Sequence, residues 1–600
     1  MESHERREIF GPFVQPKQFV LCFDGTGNKF AGDGSDTNLV KIYRMLDRSQ
    51  SHQYHYYQPG IGTYVTSHSL GSKGRIERIK SAFKKAQDAA LGSSFDEHVL
   101  GGYKFLMRYY APGDDIYFFG FSRGSYTARF LAEMLDYIGL LQPGNEELVR
   151  FAWKTFAKWQ QRKSGTEQDD KERHKLFHFM KAFRETFSRP VSQIKFMGLF
   201  DTVNSVAMFE NSWMERSKFP STAQTTARVV RHAVSIDERR AKFRQDLISE
   251  GRPAVHGHSH SHRLRHLLSQ EDHDKTRVPE IVLPENDEVG RQGRRRSGSG
   301  HGKDEFRYRA PSSSPVRKGS SEIPRTNAYL AEHHSMKSAV SRTSLRVPSL
   351  NIPGSGEKEQ DEQDISEVWF PGQHGDVGGG WKLTPEDPWP LSHIPLVWMV
   401  KEAQAAGLEF DTEKLKRFNC YEDHHVASEG FEQTIFNGLA VHNNDNHHQR
   451  TNTFHETLSH TMDQGIAHDC LTHGGGLSFF STMAWRLMEY LPFRRMDLQP
   501  DGTWKPIRWP LPCGEVRDIP ENAQIHISAI HKLQIDPTYR PGNLIIGGGG
   551  RGVKRAPEKF GIGEWEVCRY EGDLVRQTFL RKSLSKDEKG ICRDDHVAER

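Results

Sequence analysis

Short apolar runs alternate with amphipathic stretches through the first 240 residues. The runs at 18–23 (QFVLCF), 54–58, 116–119, 195–200 and 229–236 are strand-length. Most are apolar at successive positions, which predicts strands buried on two faces, as in a parallel sheet. Between them the period changes. Behind Thr37, whose hydroxyl suits a helix N-cap, Leu39, Val40, Ile42, Tyr43 and Leu46 recur at helical spacing as far as 47. Helical patterns follow over 95–110, 124–135, 146–161 and 171–187, and another strand is predicted at 368–370. This alternation predicts an α/β fold, a mainly parallel sheet covered by helices.

The pattern breaks once, inside the chain. Over 251–360 only Phe306, Tyr308 and Tyr329 are aromatic, three of 63 such residues, and none of the 11 Trp lies there. Ser, Arg, His, Gly and Pro fill the segment. It has too little apolar surface to offset the entropy of ordering its backbone, so 251–366 is assigned to a disordered basic insertion. The expected organisation is a tail at 1–17, a first core part at 18–250, the insertion, a second core part at 367–409, and a helical or irregular region packed on the core at 410–600. Within the last, residues 477–493 (LSFFSTMAWRLMEYLPF) are apolar on nearly all faces, which favours a buried helix over one lying on a membrane.

Charge narrows the function classes. Lys and Arg number 82 against 78 Asp and Glu, a net of +4. A specific nucleic-acid binder would carry a strong basic excess, so none is expected. The insertion alone holds 19 Lys and Arg against 13 Asp and Glu over 251–360, leaving the rest slightly acidic. Its His tract (His256, His258, His260, His262, His266) reads as adventitious in such a context. No run approaches 18 apolar residues, and the charged N-terminus has no signal-peptide core, so a cytoplasmic location is expected. The six Cys form no CxxC pair, so neither a zinc ribbon nor a redox motif is expected.

The sharpest chemical signal is Gly120-Phe121-Ser122-Arg123-Gly124, a G-x-S-x-G pattern between a predicted strand and a predicted helix. That context is what a nucleophile elbow needs: a serine on a tight turn at a helix N-terminus, with Gly120 and Gly124 admitting close backbone approach. A serine nucleophile needs a base oriented by an acid, and in α/β-hydrolases both follow it in the chain. Asp201 ends the next strand, with Asp237 one strand later as the reserve acid. His374 follows the last clear strand and is the expected base. Oxyanion donors are expected from the N–H of Arg123 and from the Asp24-Gly25-Thr26 loop after the first strand, through Gly25 or Thr26. A rival reading of the same residues is a metal-dependent phosphoesterase using Asp24, Asp201, His374 and Asp376. A third is a catalytically silent hydrolase-fold scaffold.

QFVLCFDGTGN, YYQPGIGT, PGDDIYFFGFSRGSYTARFLAEML, LFDTVNSV, HAVSIDERR and WFPGQHGDVGGG occur in this order. The set resembles the α/β-hydrolase domain family related to the Tle-type phospholipase effectors of type VI secretion. The C-terminal WRLMEYLPFRRMDLQPDGTWKPIRWPLP resembles its fungal members. The resemblance implies an α/β-hydrolase-like fold and a Ser–His–Asp ester hydrolase, with a small-molecule or lipid ester as substrate and neither cofactor nor metal; 477–493 is the candidate for peripheral membrane contact.

Overall fold

The structure, a computed structural model, describes residues 16–26, 28, 30–60, 95–160, 167–203, 227–248, 363–422, 453–491, 495–499, 504–507, 509–545 and 552–582. The chain divides into a unit of 1–256 with 357–600 and one of 257–356; all the described residues belong to the first. The predicted insertion lies almost wholly outside them.

The main sheet has nine strands. They are β1 (Gln18–Phe23), β2 (Gln53–Gln58), β3 (Asp115–Phe121), β4 (Phe196–Phe200), β5 (Val229–Ser235), β6 (Asp364–Phe370), β7 (Gln524–His526), β8 (Trp565–Arg569) and β9 (Thr578–Arg581). Their order in space is β2-β1-β3-β4-β5-β6-β7-β9-β8. Neighbours from β2 to β7 run parallel, and β9 and β8 close the edge antiparallel. The N-terminal helices are α1 (Asn38–Met45), α2 (Phe95–Tyr109), α3 (Arg123–Ile138), α4 (Glu146–Gln160) and α5 (Glu167–Phe187). Beyond the sequence gap come α6 (His374–Gly378), α7 (His393–Ala405), α8 (Thr412–Arg417), α9 (Thr453–Gln464), α10 (Phe479–Met488) and α11 (Ile527–Ile535).

Alternation along the strands explains the two layers. Phe19, Leu21 and Phe23 of β1, with Ile116 and Phe118 of β3, point into a core shared with α2, α3 and α4. Val20 and Cys22, with Tyr117, Phe119 and Phe121, point into the opposite core against α1 and α7. Since consecutive strand residues face opposite sides, a strand buried on both must be apolar throughout. The chain passes from β1 through α1 to β2 and returns through α2 to β3. The β1 and β3 carboxyl ends therefore flank a point where strand order reverses, and there a crevice opens in sheets of this kind. The result is an α/β-hydrolase-like architecture.

Two boundaries differ from expectation. β6 begins at Asp364, inside the segment assigned to the insertion. Its polar first half gives no apolar signal, yet Asp364 pairs with Arg231 and Glu367 with His232, at 2.5 and 2.8 Å. The region from 410 is not merely packed on the core: β7 adds a parallel strand next to β6, and β9 and β8 extend the sheet. Ile525, Ala529, Ile530, Leu544 and Ile545 form a third core with Val234, Ile236 and Trp369. A strand of three residues is too short to show a period.

Candidate active site

The G-x-S-x-G segment forms the turn from β3 into α3. Ser122 sits at φ 59°, ψ −124°, a strained conformation for a residue with a side chain, and its hydroxyl does not cap the helix. Its N–H donates to the Phe200 carbonyl at 3.0 Å, pinning the turn to the end of β4. A Cβ at Gly120 would overlap the Ser125 backbone, and one at Gly124 the carbonyls of Phe23 and Asp24. Both glycines thus serve close approach, and the second brings the elbow against the loop after β1. Arg123 is the first residue of α3, so its N–H lies outside the helical ladder.

Asp201 follows β4, also at positive φ (37°), and is fully buried. His374 opens α6 and is nearly buried. The structure brings these two together: His374 Nδ1 and Asp201 Oδ2 are 2.6 Å apart. The imidazole packs between Phe121, the residue preceding Ser122, and Phe243, each ring centroid 4.7 Å away. Burial, the largest influence, keeps the imidazole below its ordinary pKa, with Asp201 pulling the other way. For Asp201 burial also leads, raising the carboxyl. The Arg517 guanidinium and His374 outweigh it and hold Asp201 well below the carboxylate range.

Arg517 was not among the residues the sequence pointed to. It is fully buried. Nη1 donates to Asp201 Oδ1 at 2.6 Å and Nη2 to Oδ2 at 3.0 Å, a two-pronged grip on the carboxylate. Nη1 also donates to Ser235 Oγ at 2.8 Å, and Nη2 to the Phe243 carbonyl. One cation therefore fixes the carboxylate and the backbone of Phe243, whose ring meets His374 edge-on.

A model of the family "T6SS, Phospholipase effector Tle1-like, catalytic domain" matches residues 17–402. The chain belongs to this Tle1-like family. A relative in Saccharomyces cerevisiae, "Uncharacterized protein YEL023C", is 29% identical over 567 residues, spanning 88% of this chain and 80% of that protein. Among solved structures, an uncharacterized protein from Pseudomonas aeruginosa matches at 16% identity and TM-score 0.26, covering 66% of this chain and 46% of its own. The Tle1 effector bound to the VgrG spike of the type 6 secretion system matches at 15% identity and TM-score 0.18, covering 39% and 47%. This chain spans just under half the length of those two solved chains.

In this Tle1-like chain the reserve acid is placed elsewhere. Asp237 accepts from the Gly372 N–H at 2.6 Å and the Tyr539 hydroxyl at 3.0 Å, not from His374, and burial raises its pKa to about 7. Of the two loop donors, Gly25 has its N–H engaged by Asp24 Oδ1 at 2.6 Å. Buried Asp24 gathers every nearby donor, including Thr37 Oγ1 at 2.8 Å and Tyr57 Oη at 2.7 Å. The buried hydroxyl of Thr26, the other residue expected to donate from that loop, has no hydrogen-bond partner among the described residues. Of the four residues in the metal-site reading, Asp201 and His374 meet, but the four do not form one cluster of ligands. Asp24 is held by Thr37 and Tyr57, Asp201 by Arg517 and His374, and Asp376 by His468 at 2.7 Å. Among the described residues no group of three or more His, Cys, Asp or Glu side chains is placed to hold a metal.

The predicted buried helix is also corrected. Of α10 only Thr482 is buried, while Phe480 is 84% and Leu487 71% exposed, with Phe479, Met483, Tyr490 and Leu491 exposed beside them. The inner side reaches the site: Trp485 packs on Phe243 at 5.4 Å, and Arg240 lies over both rings. A helix of ten residues has too little inward surface to bury apolar groups on every side. No helix among the described residues is long and apolar enough to cross a membrane.

Proposed function

We propose that this protein hydrolyses a carboxylic ester of a lipid through Ser122, His374 and Asp201. Ser122 Oγ attacks the acyl carbon while His374 takes its proton, and Asp201 orients and stabilises the resulting imidazolium. The imidazolium then protonates the departing alkoxide, and water repeats the sequence on the acyl-enzyme. The N–H groups of Arg123 and Thr26 receive the negative charge of the tetrahedral intermediate. The observation that carries this reading is a buried, carboxylate-bonded imidazole packed on Phe121, the residue that leads into the strained Ser122 elbow.

Membership of a phospholipase effector family supports a lipid ester as substrate. So does α10, whose exposed apolar side lies one aromatic ring from His374 on its inner face. We read it as the element that rests on a lipid surface and delivers acyl chains to the site. The test is fluorophosphonate labelling of the full chain, with Ser122→Ala as control, followed by acyl release from phosphatidylcholine vesicles. Labelling that Ser122→Ala abolishes is expected. A folded protein that does not label through Ser122 would leave the silent-scaffold reading in its place.

A further inference from the structure

A cavity of about 640 Å³ opens on the α1 side of the sheet, and none of the proposed catalytic or oxyanion residues lines it. Its size falls in the range of small-molecule sites, roughly 300–1,000 Å³. The lining is strongly cationic: Lys41, Arg44 and Arg48 from or just beyond α1, and Lys414 and Arg417 from α8, against the single carboxylate of Asp33.

Not all of these charges are available. Arg44 is paired with Asp36 at 2.9 Å, Lys414 with Asp411 at 2.9 Å, and Asp33 accepts from the Ser35 N–H and hydroxyl. Three cations have no carboxylate partner among the described residues. Arg48 donates to the Tyr43 carbonyl at 2.8 Å. Arg417 is exposed at the rim, without a hydrogen bond or ion pair among the described residues. Lys41 is 7% exposed and its ammonium likewise has no such partner there, an expensive arrangement for a cation. Burial, chiefly, pulls its pKa below the ordinary lysine value. Beside it His393 is buried in the cavity wall. The remaining wall is flat and apolar, chiefly Trp389, Leu383 and Phe418.

We propose that this cavity binds a phosphate monoester, its phosphate held by Lys41 and Arg417 and its organic part lying against Trp389 and Phe418. With five cations against one carboxylate on the wall, and two of the five bonded to neighbouring carboxylates, the cavity favours an anion of more than one charge, and a guanidinium matches phosphate oxygens in pairs. An inorganic anion alone would leave most of the space to water, at about 30 Å³ per molecule. The phosphate is either that of a free small molecule or the headgroup of phosphatidic acid at a membrane. This inference stands independently of the esterase reading.

The test is equilibrium binding to the full chain carrying Ser122→Ala, so that no probe is turned over. Phenyl phosphate and benzoate serve as soluble probes, and phosphatidylcholine vesicles with and without phosphatidic acid as the lipid arm. Saturable binding of phenyl phosphate, at least tenfold tighter than benzoate, is expected, and Lys41→Met and Arg417→Glu should each weaken it at least tenfold. Arg417 is exposed, so its variant retains the wild-type melting transition and decides the matter even where Lys41→Met does not fold. Binding confined to phosphatidic acid vesicles, and weakened by the same variants, also supports the site and identifies the lipid source. Absence of binding in both arms, benzoate binding equally well, or binding unchanged in Arg417→Glu would each overturn the proposal.

Discussion

Replacing Arg517 with Met separates the two tasks of that residue. The substitution removes the cation gripping both oxygens of Asp201 and leaves the carboxylate buried with the Ser235 N–H, at 2.9 Å, and His374. Breaking a buried pair from one side costs about 3–5 kcal/mol, a large part of the roughly 5–15 kcal/mol by which domains are stable. The remaining charge also acts on the imidazole. Arg517 Nη2 and His374 Nδ1 meet at the same oxygen, Asp201 Oδ2, so the guanidinium opposes a positive charge on the imidazole. Removing the guanidinium makes His374 easier to protonate, so its titration should move upward. Urea unfolding reads the first effect, and the pH dependence of fluorophosphonate labelling at Ser122 reads the second. Arg517→Lys keeps the charge but loses the fork, so it should lose about 1.5–3 kcal/mol and leave the acid limb in place. If Arg517→Met unfolds like wild type and labels with the wild-type acid limb, the reasoning is refuted.

Because burial lowers the His374 pKa, the wild-type acid limb should lie below the ordinary histidine value of about 6.5, with the rate rising as the imidazole loses its proton; a limb above 7 would contradict this. Burial raises the Asp237 pKa to about 7 from the ordinary 3.8, so its stabilising contribution is full below pH 4 and lost as pH rises to 7. Asp237→Asn removes that loss and should unfold at higher urea than wild type at pH 8, by up to about 4 kcal/mol, with no gain at pH 4. An equal gain at both pH values would show that its ionisation plays no part. The paired change Phe480→Ser and Leu487→Ser, on groups 84% and 71% exposed, should leave melting and turnover of a soluble short-chain ester unchanged and cut acyl release from vesicles at least tenfold. Equal loss on both substrates would place α10 in the chemistry rather than at a surface.

Local signals carried much of the fold. The β3–Ser122–α3 turn needs only an apolar run, two glycines and a helical period, all adjacent in the chain. Asp201 and His374 could be reached because each follows an apolar strand, where a loop at the sheet's carboxyl edge must begin. Arg517 was beyond reach: it lies 316 residues from Asp201, in a segment without period, and only tertiary folding sets the two together. The fate of the Gly25 N–H was equally hidden, since it depends on where the Asp24 carboxylate turns once buried. For α10 composition misled, because apolar residues on every face describe both a core helix and a short helix lying against a lipid.

The grip of Arg517 on Asp201 also has a consequence for synthesis. By the time a ribosome has released residue 400, the chain holds the serine, the imidazole and the carboxylate, but not the cation that neutralises the last. Such an intermediate would enclose a bare negative charge, so the pocket cannot close stably until the chain has grown past 517. An unfinished polypeptide is thereby kept from completing the site. Chains truncated before Arg517 should be protease-sensitive and silent toward fluorophosphonate, although Ser122, His374 and Asp201 are all present.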